Sequence, residues 1–272
     1  MSKDKRVLGK VGMALLLVFF YAPILFMIIF SFNSSKSLTH FTGFSLRWYE
    51  AMLKNHGMME SLYVTIVIAL LATIISTIVG TITAIGLSKS RKVLKDIILN
   101  VNNVPIMNPD IVTAIGLMIL FSSLKMEKGY LTMLLAHIAF CTPYVITSVY
   151  PKVRNMDPNL ANAAMDLGAT PFQALTKVIL PMLKDGIYAG VLLAFTMSFD
   201  DFVISYFVTG NGVSNISIIV YNMTKRTNPT INALSTLVIL VIVITLVCIN
   251  VIPMVVRKRK EKKIRLLQEK GI

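Results

Sequence analysis

The stretch NMDPNLANAAMDLGATPFQALTKVILP, Asn155 to Pro181, is a polar island between long apolar runs, and its reading decides the fold. Asp157 is a good helix cap, and Pro158 suits the first helical position. Leu160, Ala163, Ala164 and Leu167 then recur at helical spacing. Gly168 fits the left-handed position that closes a helix. Thr170 and Pro171 repeat the cap-and-proline start, so a second helix is predicted to run toward Pro181. The outcome is two short helices joined at a glycine, the first carrying a flat alanine face that another backbone can approach. Two readings fit this pattern: an amphipathic loop lying on a membrane, or a docking element for a second protein.

The sequence on either side supplies the membrane. Of 272 residues, 55% are hydrophobic and the mean hydropathy is +0.72, which excludes an ordinary soluble domain. Runs at 11–32, 62–87, 104–124, 129–150, 186–208 and 232–256 are each long enough to cross a bilayer as a helix. The first follows Lys3, Lys5, Arg6 and Lys10 and is too long for a signal-peptide core, so it is read as an uncleaved helix. Segment 33–61 holds the single tryptophan, Trp48, which with Tyr49 is expected to anchor at the membrane interface. Segment 88–103 is basic and then mildly apolar, and is expected along the inner surface. Cys141 and Cys248 lie in separate apolar runs, so neither a disulfide nor a zinc site is expected.

The formal charge of +14 would suit a nucleic-acid binder, but its placement follows membrane topology instead. With the N-terminus in the cytoplasm, the inner segments hold 20 Lys and Arg and the outer segments 7. Both termini and the 155–181 segment are then cytoplasmic. The expected division is a six-helix permease domain over 1–256 and a basic cytoplasmic tail over 257–272. That tail reads as a stop-transfer anchor near anionic lipid; nucleic-acid binding has no aromatic interleaving to support it.

No G-x-x-x-x-G-K-[ST] phosphate loop, no H-E-x-x-H metal motif and no nucleophile–base set occurs, so no catalytic or metal-binding residue is assigned. Any ATP and magnesium would belong to another chain. His137 lies inside the fourth run, where a packed histidine bonded to a neighbouring helix is expected. Small residues form two ridges at helical spacing: Ala72, Ser76, Gly80 and Ala84, and Gly186, Gly190 and Ala194. Either internal packing or a partner subunit would use them. No internal repeat is evident, which weighs against carriers built from two related halves.

Three acids fall well inside apolar runs: Asp110, Asp200 and Asp201. A charge at the bilayer centre costs about 2.5–3.5 kcal/mol on insertion scales, so it normally faces a cavity or a partner. Asn108-Pro109-Asp110 has the pattern of a helix cap and first two positions, which explains Asp110 without excluding a second role. Asp200 and Asp201 lack that explanation, and no basic residue in the chain's own apolar runs offers them a partner. Phe195, Phe199, Phe202 and Tyr206 surround them. Asp110, Asp200, Asp201, Phe199, Phe202 and Tyr206 are the candidate site residues.

The 155–181 segment also resembles the cytoplasmic motif of ABC importer permeases: Glu-Ala-Ala, three residues, Gly, nine residues, Ile, one residue, Leu-Pro. Asn162-Ala163-Ala164, Gly168, Val178 and Leu180-Pro181 keep every spacing, with Asn162 replacing the acid and Val178 the isoleucine. The run from Phe195 to Ser205, FTMSFDDFVIS, is similar to the fifth-helix signature of polyamine permeases. Ser31 to Ser35 and Phe44 to Tyr49 fit the same family. The resemblance implies an all-α membrane protein of the MetI-like permease fold, with six transmembrane helices and a cytoplasmic coupling helix. It further implies that Asn162, Ala163, Ala164, Leu167, Gly168 and Ala169 couple to an ATPase, and that the six candidate acids and aromatics line a substrate path. The implied partners are a homologous second permease, two ATPase copies that hold ATP and magnesium, and a periplasmic polyamine-binding protein, all at a bacterial inner membrane. Rival readings are the same machine for another solute, or a stand-alone ion-coupled carrier or channel.

Overall fold

The computed structural model describes residues 3–37, 39–210, 212–224 and 228–244, and these are almost wholly helical. The basic tail, 257–272, and the second half of the sixth apolar run lie outside the described residues. The described residues fall into two compact units, one running from Gly57 to Asn222 and the other holding the residues on either side.

In the flanking unit, α1 (Lys3–Ser31) is a long apolar helix containing Pro23. The chain then turns back through an isolated bridge between Asn33 and Phe44 to α2 (Arg47–Lys54). Asn33 ties this turn together. Its Nδ2 donates to the carbonyls of Ser37 (2.9 Å) and His40 (2.8 Å), and its Oδ1 accepts from the Thr42 amide at 2.9 Å. Trp48 is buried, and its Nε1 donates to the Asn33 carbonyl at 2.7 Å. Trp48 is therefore a buried clasp for the turn and not the expected interface anchor. Tyr49 shares a 2.8 Å hydroxyl hydrogen bond with Ser31. The α11 helix (Thr230–Ile244) is the described part of the sixth apolar run.

The central unit begins with α3 (His56–Ser88), followed by α4 (Lys92–Met107) and α5 (Asp110–Ser123), which meet at a bend of 108°. The third run, 104–124, is therefore not one continuous helix. Asn108 ends α4 and Pro109 cannot continue its ladder, so a new helix starts at Asp110. After a short loop come α6 (Tyr130–Arg154), α7 (Leu160–Asp166) and α8 (Pro171–Asp200). Two shorter helices follow, α9 (Val203–Val208) and α10 (Ile216–Thr224). Gly9–Ser31, His56–Ser88, Tyr130–Arg154 and Pro171–Asp200 are each long and apolar enough to cross a membrane, and α4 with α5 adds a fifth if counted together.

The small-residue ridges are explained by α6. Ala72, Ser76, Gly80 and Ala84 are all buried on α3, and Gly186, Gly190 and Ala194 are buried on α8. A Cβ on Gly80 would lie 2.7 Å from Val145 Cγ1, and one on Gly190 would lie 3.3 Å from the Val145 Cα. Val145 is thus gripped by a glycine from each side. Ser76 Oγ donates to the Ile138 carbonyl (3.3 Å), and Cys141 Sγ donates to the Ala194 carbonyl (3.4 Å). Both ridges serve packing within the chain, as expected where lipid offers no hydrophobic drive between helices.

Candidate translocation and coupling sites

The 155–181 segment forms as two helices joined at a glycine, with one shift. Asp157 Oδ1 accepts the Asn159 amide (2.9 Å), and α7 proper starts at Leu160, so Asp157 opens a turn instead of capping the helix directly. Gly168 has φ +87°, and its amide donates to the Met165 carbonyl at 2.9 Å. A side chain there would strain the backbone, although among the described residues nothing lies within 4 Å of its Cβ position. Thr170 and Gln173 form a reciprocal capping box, at 3.2 and 3.0 Å, with Pro171 as first residue of α8. The second helix does not stop at Pro181. Pro181 has no N–H to return to the preceding turn, and the ladder widens to a π turn at Leu175–Ile179 just before it. Asn162, Ala163, Leu167 and Gly168 are exposed, while Ala164 and Ala169 are half-buried. Leu167 is 90% exposed and Phe172 73%. Two large apolar side chains standing free beside a flat alanine surface make a contact face.

The fifth run, 186–208, also breaks, and it breaks at the acids. The α8 helix ends at Asp200, Asp201 takes an extended conformation (φ −64°, ψ 128°), and α9 begins at Val203. Asp201 has an occupation that the sequence reading lacked. Its Oδ1 accepts the Ile204 amide (3.1 Å), and its Oδ2 accepts both the Ser205 amide and the Ser205 hydroxyl (2.7 Å each). It caps α9, and its side chain is only 6% exposed. The expectation that no basic group reaches it is corrected too: His137 Nε2 on α6 lies 3.4 Å from Asp201 Oδ2.

The tautomer of His137 follows from counting protons. The one proton on Ser205 Oγ goes to Asp201, and that oxygen also accepts from Asn215 Nδ2 at 2.9 Å. The 2.9 Å contact between His137 Nε2 and Ser205 Oγ then requires the hydrogen on Nε2. On the other side of the ring, Nδ1 meets Ser198 Oγ at 2.6 Å. His137 is thus the packed, doubly bonded histidine expected. Asn215 Nδ2 also donates to the Asp201 carbonyl (2.7 Å), and the Ile216 amide donates to Thr65 Oγ1 (2.8 Å). A polar knot of His137, Ser198, Asp201, Ser205 and Asn215 therefore holds the broken ends of α8 and α9 against α6. Irregular backbone at membrane depth needs such internal partners. Ser198, Ser205 and Asn215 were not singled out in the sequence; the seven-residue interval between the two serines, flanking the acids, was the available signal.

Asp200 differs in every respect. It is exposed at the last turn of α8 and makes no hydrogen bond or ion pair among the described residues. Phe202, Tyr206 and Tyr221 form an aromatic cluster just beyond the break, with Phe202 4.8 Å from Tyr221 and 5.5 Å from Tyr206. Phe199 instead stacks on Phe195 at 5.6 Å. Asp110 sits apart from these, exposed at the α4–α5 bend as the first residue of α5, with Pro109 as its cap. Among the described residues no group of three or more His, Cys, Asp or Glu is placed to hold a metal.

The arrangement is that of a transport subunit: an apolar bundle with two broken helices, an unpaired acid at one break, and an exposed contact helix. The sequence over residues 76–266 matches the family of binding-protein-dependent transport system inner membrane components, and the chain belongs to that family. It is 38% identical over 229 residues to the putrescine transport system permease protein PotI of Escherichia coli K12, covering 81% of this chain and 82% of that protein. It is 34% identical over 248 residues to the spermidine/putrescine permease PotC of the same organism, covering 91% and 94%. A PotC homologue from Mycoplasma genitalium is 30% identical over 274 residues, covering 94% of each chain. The fold is shared with a bacterial ABC transporter involved in the import of the acidic polysaccharide alginate. There the TM-score is 0.70 at 16% identity, over 93% of this chain and 98% of that one. The chain is thus an all-helical membrane permease of the ABC importer class, a transport component and not an enzyme, which works with a partner permease and an ATPase.

Proposed function

We propose that this chain is one of the two permease subunits of an ATP-driven polyamine importer, spanning a bacterial inner membrane six times with both termini in the cytoplasm. The observation that carries the substrate class is its 34–38% identity, over most of each chain, to permeases whose names specify putrescine or spermidine. The 20-to-7 bias of basic residues supports the orientation, which puts α7 on the cytoplasmic side as the coupling helix. Its exposed face, with Asn162, Ala163, Ala164, Leu167, Gly168 and Ala169, docks on an ATPase that supplies ATP and magnesium. A periplasmic binding protein delivers the solute. The six-helix domain over 1–256 and the tail over 257–272 keep separate tasks, transport and lipid anchoring.

Within the path, Asp200 receives an ammonium group, and Phe199, Phe202 and Tyr206 line the way for the methylene stem. An ammonium over an aromatic face gains about 0.5–2 kcal/mol, enough to guide a cation without trapping it. Asp110 is a second station, and Asp201 contributes through the break that it caps. The test is uptake of labelled putrescine and spermidine by cells expressing this chain with its partner subunits. Asp200→Asn should lose most uptake at unchanged protein level. Wild-type uptake by that variant would remove Asp200 from the path, and ATP-independent uptake by the chain alone would overturn the importer reading.

A further inference from the structure

A cavity of about 410 Å³ lies behind the coupling helix, enclosed by the C-terminal ends of α3 and α6, by α4, by α7 and by the first turns of α8. That volume is within the range of about 300–1,000 Å³ usual for small-molecule sites. Its charge is unbalanced. Lys89 in the turn after α3, Lys95 on α4 and Arg154 at the end of α6 line it, against the single carboxylate of Asp157, which already accepts the Asn159 amide. None of the three cations forms an ion pair among the described residues. Apolar side chains line the same cavity, among them Ile85, Val153, Leu175 and Ile179, the last two belonging to the π turn. Cations and hydrocarbon in one cavity, at the ends of the two long apolar helices α3 and α6, match an amphiphile with an anionic head.

We propose that this cavity binds the phosphate headgroup of an anionic glycerophospholipid, with its acyl chain along the apolar lining. Basic pockets between membrane helices are recognised sites for such headgroups. An acidic side chain from a partner would satisfy the cations, but it would leave the apolar lining without an occupant. The site also has a mechanical position. Ala161 and Met165, one turn apart on α7, line the cavity, while Ala163 and Leu167 face outward. A bound lipid therefore props the coupling helix from behind.

The test uses the full-length chain purified with its partner subunits and placed in nanodiscs of phosphatidylcholine with or without phosphatidylglycerol. Bound lipid is counted by native mass spectrometry. The variant with Lys89→Gln, Lys95→Gln and Arg154→Gln should weaken phosphatidylglycerol retention by about 100-fold, since each basic group near a membrane surface attracts anionic lipid. The charge-conserving set Lys89→Arg, Lys95→Arg and Arg154→Lys should retain it, as should the off-site set Arg91→Gln, Lys92→Gln and Lys184→Gln. Equal retention by the cavity-neutralised and off-site sets would overturn the proposal. So would displacement of the lipid by millimolar inorganic phosphate, which would assign the site to a free anion. Unchanged retention with loss of the ATPase from the complex would assign the cations to a partner's acid and equally overturn it.

Discussion

Asp200 and Asp201 are neighbours in sequence with opposite structural occupations, and substitution can separate them. Asp201→Ala removes a helix cap, which costs about 0.5–2 kcal/mol. It also strands a buried donor, since the Ser205 hydroxyl loses the carboxylate oxygen that accepts it, at about 1–3 kcal/mol. Together the loss is about 3 kcal/mol, or a fall of roughly 6–12 °C in melting temperature for a chain of this size. Asp201→Asn keeps one acceptor oxygen for the cap but turns an N–H toward other donors, and should lose about half as much. Asp200→Ala touches no bonded group and should stay within about 0.5 kcal/mol of wild type. The assay is thermal unfolding of purified protein in one detergent, followed by loss of the monodisperse peak on size-exclusion chromatography. If Asp201→Ala melts with the wild type, or Asp200→Ala falls as far as Asp201→Ala, the division of labour between the two acids is refuted.

Three further outcomes are expected. Gly80→Ala should destabilise by about 1–3 kcal/mol because its Cβ collides with Val145. Pairing it with Val145→Ala should recover part of that loss, and an additive double-mutant cycle on the same melting assay would contradict the grip on Val145. Gly168→Ala should cost about 1 kcal/mol from its left-handed backbone alone, while Gly168→Asp should leave the protein in the membrane but uncouple uptake from ATP hydrolysis. Normal coupling in Gly168→Asp would move the docking face elsewhere. In a cysteine-free background, Lys177→Cys should react with an impermeant maleimide only from the cytoplasmic side and Glu127→Cys only from outside; the reverse labelling would invert the topology.

The membrane character, the Gly168 turn, the Thr170 cap and the two ridges were legible because each rests on local chemistry or on a period of one helix. The ridges named themselves at i, i+4, but what they packed against required α6 to be placed between them. The two helix breaks differ in legibility. Asn108-Pro109-Asp110 read as a helix start, and α5 does start there, although the apolar run 104–124 was drawn across it. At Asp201 no breaker residue occurs; the helix ends because the carboxylate finds two amides, a hydroxyl and His137, which stands 64 residues earlier in the chain. Trp48 failed as an interface marker because its indole N–H had a carbonyl partner inside its own turn. Asp200 was legible as an acid in an apolar run, but only the break shows why it and not Asp201 is free.

The grip on Val145 also decides which parts of the bundle are able to slide. With α3 and α8 each meeting α6 at Val145 through a glycine, rotation of α6 there would drive Val145 into a neighbouring helix. The three are keyed together at that level. The breaks at Asn108-Pro109 and Asp201-Phe202 lie outside that key, and α8 runs as one helix from Pro171 to the turn that carries Asp200.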